Sequence, residues 1–186
     1  MPRPWNELLP TRVEVGGAQY AVRSDYRAAL DICAALSDPE LDGRERSAAA
    51  LTIFYPNLSD MPAEHYQEAA EQCLRFIRGG GGEPPGQGPR LVDWEQDFPQ
   101  IVAPVNRVLG QEVRAAKYMH WWTFLAAYQE IGECTFAQIV RIRDRLARGR
   151  PLEKADQEWY RNNRQLVDFK RTYTGAEDEM VKSWGF

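Results

Sequence analysis

Thr11-Arg12-Val13-Glu14-Val15-Gly16-Gly17-Ala18-Gln19-Tyr20-Ala21-Val22 is the stretch that decides the fold class. Polar and apolar residues alternate on both sides of Gly16-Gly17, which is the period of a strand. A Gly-Gly pair between two such runs supplies the positive φ angles of a two-residue hairpin turn. That turn pairs Val15 with Ala18 and Val13 with Tyr20, and gathers Val13, Val15, Tyr20 and Val22 on one face. A lone two-stranded ribbon is marginal in water, so this face needs a helix over it. Everything after the hairpin reads helical. The expected fold is therefore mainly α, a helical bundle of about five to six helices with a small N-terminal β-hairpin.

Working outward, Ser24-Asp25 forms a cap ahead of Tyr26, Leu30, Cys33 and Leu36 at helical spacing. Asp38-Pro39 ends that helix. A second spans about Arg44 to Phe54 and stops before Pro56. Ser59 or Asp60 is expected to cap a third, with Pro62 in its first turn and an apolar stripe running from Tyr66 to Ile77. Residues 79–90, GGGGEPPGQGPR, neither propagate a helix nor fill a core and read as a flexible loop or linker, which either divides two subdomains or, the reading favoured, is a long exposed loop inside one. Beyond it, Asp93 is a cap, Pro99 is expected to begin the main helix and Pro104 to kink it. Gly110 is a helix-stop signal. Further helices are expected over about Arg114–Ile131, from a Thr135 cap to Gly149, and over about Leu152–Tyr173. The organisation expected is one domain over 1–186: hairpin and short helices at 8–78, the loop at 79–90, a helical part at 91–173 and a loose tail at 174–186.

Hydrophobic residues make up 44% and charged residues 27% of the 186, which excludes wholesale disorder. No uncharged apolar stretch reaches a membrane span, and MPRPWNELLP has no apolar core of a secretory signal. Cys33, Cys73 and Cys134 are odd in number and far apart, so packing roles in a reducing compartment are expected. Net charge is −4 but uneven: residues 1–136 carry −7, residues 137–164 carry +4 and residues 165–186 carry −1. A mildly acidic body with one basic segment is not the footprint of a dedicated nucleic-acid binder.

Catalytic, cofactor and metal sites find no support in the motifs. The glycine run at 79–82 lacks the GK[ST] ending of a phosphate-binding loop. His65 with Glu64 and Glu68 offers too few ligands for a metal and reads as a solvated helix face. His120 has no nucleophile beside it and reads as a histidine packed against, or hydrogen-bonded beside, an aromatic cluster. Asp93, Glu95 and Asp97 alternate, but Phe98 stands where a calcium loop needs glycine, so they read as helix N-terminal acidity.

Arg141, Arg145 and Arg148 share one helical face. Such a stripe can be solvated, pair with acids of its own chain, receive a protein partner, or bind phosphates. Trp121 and Trp122 are adjacent, so on one helix their indoles point about 100° apart. One is expected in the core, and the other is a candidate interface anchor.

The order and spacing of these stretches resemble a family. Leu9–Tyr20, Ser24-Asp25-Tyr26-Arg27, Leu51-Thr52-Ile53-Phe54-Tyr55-Pro56, Asp93-Trp94-Glu95-Gln96-Asp97 and His120-Trp121-Trp122-Thr123-Phe124 together resemble the bacteriophage gene-product-fifteen family of siphophages and prophages. The likeness covers about residues 8 to 170. Its most distinctive motif residues are Asp93, Trp94, Glu95 and Asp97 in one box, and His120, Trp121, Trp122 and Phe124 in the other. The Gly/Pro insert at 79–90 departs from the pattern.

The resemblance implies a non-enzymatic protein of tail morphogenesis, without cofactor or metal, acting in the cytoplasm of the bacterial host. Its expected role is that of a tail assembly chaperone. The implied partners are the tape measure protein and the tail tube protein, with self-association open, no membrane, and nucleic acid disfavoured. Trp121, Trp122, Arg141, Arg145 and Arg148 are the candidate interaction residues. The alternatives are a structural tail or connector component of the virion and, behind it, a nucleic-acid-binding regulator.

Overall fold

The hairpin forms as its alternation requires. In the computed structural model, which describes residues 8–81 and 88–170, β1 (Arg12–Val15) pairs antiparallel with β2 (Ala18–Ala21). Val13 faces Tyr20 and Val15 faces Ala18. Gly16 takes a φ of 56°, and a Cβ there would lie 2.2 Å from the His65 ring. Both the turn and the close approach therefore demand glycine.

Eight α-helices follow among the described residues, so the chain is mainly helical with a small N-terminal hairpin. The sequence reading took the chain as one domain, whereas its contacts gather into two compact units. Residues 8–81 with Ala116–Ala126 form the first, and residues 88–115 with 127–170 form the second. The first passage between them falls in the Gly/Pro insert. The return of Ala116–Ala126 to the first unit has no compositional mark.

In the first unit, α1 (Tyr26–Leu36) starts where the Asp25 carboxylate accepts the Arg27 N–H. α2 (Gly43–Phe54) starts in a capping box between Asp42 and Glu45, a device worth about 1 kcal/mol. α1 packs along α2, α2 on α3 (Tyr66–Ile77), and α3 on β1. Ile32, Cys33, Phe54, Cys73, Phe76 and Ile77 lie in the buried interior. The expected cap of α3 fails. Ser59 and Asp60 sit in a separate 3-10 turn, Leu58–Asp60, because Met61 precedes Pro62 and takes an extended conformation with ψ 129°. Tyr66, read as part of the apolar stripe, is exposed.

α5 (Trp121–Gln129) is half the length expected. Its N-terminal extension is replaced by a short pairing with the start of α1. The Tyr26 N–H donates to Met119 O at 2.9 Å, and the Trp121 N–H donates to Ser24 O at 2.8 Å. Backbone engaged in that ladder is not free to wind as helix. From Ala127 onward α5 belongs to the second unit.

In the second unit, α4 (Trp94–Leu109) begins at the Asp93 cap and runs through both Pro99 and Pro104. The start expected at Pro99 is thus five residues late. Each proline removes one internal hydrogen bond, but Ile101, Val102 and Val105 on the same helix are buried and hold it in place. Gly110 closes α4 with a φ of 66°. α6 (Thr135–Ala147) is capped by Cys134, whose Sγ accepts the Ala137 N–H, rather than by Thr135. The expected last helix is broken at Asn163 into α7 (Lys154–Asn162) and α8 (Arg164–Val167). Ile139, Ile142 and Val167 form a buried cluster here, flanked by Leu152, Trp159, Tyr160 and Leu166. Residues 82–87, half of the 79–90 loop, and the tail at 174–186 lie outside the described residues.

Candidate protein-interaction site

The His120–Phe124 box fastens the first unit. His120 Nδ1 accepts the Trp122 N–H at 3.0 Å, which caps α5, and its Nε2 meets Pro10 O at 2.9 Å. With Nδ1 accepting, the ring proton sits on Nε2, which donates. The two adjacent indoles then cap another helix. Trp121 Nε1 donates to Ile77 O and Trp122 Nε1 donates to Phe76 O, each at 2.8 Å. Both carbonyls belong to the last turn of α3, where acceptors lack helical partners. Trp121 is 0% exposed, as the core reading of one indole requires. Trp122 is half-buried, with its ring against Gly80. Phe124 stacks on Tyr26, with ring centres 4.9 Å apart, and on Trp121 at 5.7 Å.

Two further stretches join them. Phe54 packs on Phe76 at 5.1 Å. The Tyr55 hydroxyl donates to Ala69 O at 3.0 Å, and burial pushes its pKa up. Glu64 and Glu68 are exposed, as a solvated helix face requires, while His65 and Glu68 also hold the hairpin. The His65 ring lies on Gly16, and the Glu68 carboxylate accepts the Gly16 N–H at 2.9 Å. Burial likewise raises the thiol pKa of Cys33, and of Cys73 to about 12, so both remain protonated packing groups.

Beside this cluster the first unit has an open groove of about 740 Å³. Val22, Ala28 and Ile53 supply apolar lining, and Tyr118 stands at its edge, 55% exposed. Tyr118 is held by a 2.8 Å hydrogen bond between its hydroxyl and Ser24 Oγ. Arg23, Arg27 and Asp31 bring charge of both signs. Arg23 donates to Thr52 O and Ile53 O, capping α2, while Arg27 donates to Ala116 O and pairs with Asp25. Partial burial raises the Asp31 pKa.

The Asp93–Asp97 box does a comparable job in the second unit with charge. Asp93 caps α4 by accepting the Gln96 N–H at 2.9 Å and pairs with Arg90 at 2.6 Å. Asp97 accepts the Asp93 N–H and takes two bonds from Arg143, at 2.6 and 2.9 Å. Trp94 is buried against Tyr128 at 4.7 Å, and Glu95 is exposed. Arg143 also donates to Leu91, Leu166 and Val167 carbonyls. Its five N–H groups thus meet five acceptors, and its side chain is 3% exposed. Arg143 lies off the face shared by Arg141, Arg145 and Arg148, so the helical pattern does not single it out. Its position four residues after Ile139, on the buried face of α6, was the available signal.

The stripe itself is engaged within its unit. Arg141 pairs with Asp156 at 3.0 Å, Arg145 with Glu153 at 3.1 Å and Arg148 with Asp144 at 2.6 Å. The Arg141 hydrogen bond lowers the Asp156 pKa. Of the alternatives left open for the stripe, pairing with acids of its own chain is the one the geometry displays. Among the described residues no group of three or more His, Cys, Asp or Glu is placed to hold a metal ion, and no helix is long and apolar enough to cross a membrane. No family model, no curated protein and no solved structure matches the chain.

Proposed function

We propose that this is a non-enzymatic phage tail assembly protein, a chaperone that binds the tape measure protein during tail morphogenesis. The observation that carries the reading is the ordered set of motifs resembling the gene-product-fifteen family, from Leu9 to Phe124. The way those motifs are used supports it. His120, Trp121, Trp122, Asp93 and Asp97 build and cap helices, as expected where motifs maintain a scaffold and recognition falls to its surface. The recognition surface in this reading is the first unit's groove, with Tyr118 at its edge. An apolar floor with charges of both signs suits an amphipathic helix. Many copies binding along one long helix need only weak individual contacts.

Co-expression with a tape measure fragment of the same phage, followed by affinity purification, tests this. The fragment is expected to stay soluble and co-purify, and Ile53→Asp to abolish capture while leaving the fold intact. A fragment that precipitates equally with and without the chain overturns the reading. Mass spectrometry of purified virions separates a chaperone, which is absent from them, from a structural tail component, which is present.

A further inference from the structure

The final described stretch of the second unit is gripped through its backbone. Gln96, on the first turn of α4, uses both ends of its amide. Nε2 donates to Asp168 O at 3.0 Å, and Oε1 accepts the Lys170 N–H at 3.0 Å. Arg143 donates to Val167 O at 2.7 Å and to Leu166 O at 3.0 Å. A side-chain amide that meets a carbonyl and an N–H two residues apart reads extended main chain, and Asp168 is extended, with ψ 132°. Side chains add selectivity. Val167 enters the buried cluster with Ile139 and Ile142. The Phe169 ring lies against two guanidiniums, with its centre 4.3 Å from Arg90 and 4.1 Å from Arg143.

This is the logic of extended-peptide capture: main-chain bonds give affinity, and pockets for particular side chains give specificity. An empty clip would leave Arg143 donors inside the protein without acceptors, which is costly. The clip therefore needs an occupant that presents carbonyls in this pattern, with a valine two residues before an aromatic ring. The segment seated in it is the chain's own. The same segment of a second copy meets every one of these requirements, and Asn163, which already breaks the helix between α7 and α8, offers a hinge. An exchanged segment makes the same contacts with the clip, and only the Leu166 and Val167 N–H bonds to Asn163 O, which span the hinge, are at stake on opening.

We propose that the α4–α6 clip also accepts residues 164–170 of a second copy, so that crowded copies link through exchanged segments. A tethered segment competes at an effective concentration of about millimolar. Dilute chains therefore keep their own, and linkage appears where copies are held side by side. The inference is independent of the tail-assembly reading.

Two variants test it. Phe169→Ala with Lys170→Pro weakens the segment but keeps the clip, whereas Gln96→Ala weakens the clip but keeps the segment. By native mass spectrometry each alone is expected to be monomeric, and their mixture to contain a one-to-one dimer. A mixture no heavier than its components overturns the proposal. Should Phe169→Ala fail to fold, Lys170→Pro alone is titrated with a fluorescent peptide of residues 162–170. Saturable binding that Gln96→Ala weakens by about tenfold or more supports the proposal. Equal binding to both chains, or none, overturns it.

Discussion

The two units solve one problem, the unsatisfied ends of helices, with different chemistry. In the first, Asp25 and Asp42 open α1 and α2 with carboxylates, but the His120–Phe124 box works with neutral groups: indole N–H groups of Trp121 and Trp122 close α3, the His120 ring opens α5, and stacked aromatics fill the space between. In the second, the corresponding work falls to ions, with Asp93 and Asp97 paired to Arg90 and Arg143 out of water. Neutral caps fail gradually when altered, because each lost bond is one of several. A buried ion pair fails abruptly, because the surviving charge has nowhere to go.

The sharpest way to break this contrast is Arg143→Met. It strands Asp97 without its cation and should cost about 3–5 kcal/mol in denaturant unfolding. Adding Asp97→Leu should recover part of that loss, since removing both partners is milder than removing one. Next in size is Trp121→Phe, expected to cost about 2–3 kcal/mol through lost volume and the unmet Ile77 carbonyl. Trp122→Phe should cost about 1 kcal/mol, because half-buried groups regain water. At the small end, Arg148→Ala removes an exposed pair one helical turn apart and should change stability by no more than about 0.5 kcal/mol.

Alkali tests both units together. Burial raises the pKa of Tyr55 in the first unit and of Tyr128 in the second. The folded state then favours the neutral phenol, so this contribution is complete below the unfolded tyrosine value of about 10 and is lost as pH rises above it. Unfolding should begin above about pH 10, and Tyr55→Phe with Tyr128→Phe should move it to higher pH.

Local signals made the hairpin register, the Asp25 and Asp93 caps and the Gly110 stop legible, since each depends on residues within a few positions. The failures have a shared cause. α5 begins late because Met119 and Trp121 bond to residues nearly a hundred positions earlier, and no periodicity reports a partner that distant. Pro99 and Pro104 weaken α4 locally, while buried neighbours sustain it. At the candidate site, the core reading of one indole was accessible from two adjacent tryptophans. The groove edged by Tyr118 was not, because it depends on the unforeseen pairing of residues 118–121 with the start of α1. The role of Arg143 is hidden for the same reason, as helical spacing places a guanidinium but does not say which carboxylate it meets.

Light scattering on the purified complex with a tape measure fragment tests the central claim most directly. A mass equal to several copies of this chain on one fragment, with the copy number rising as the fragment is lengthened, is the expected result. A single copy whatever the fragment length, or two species that elute separately, would contradict a chaperone that coats its partner.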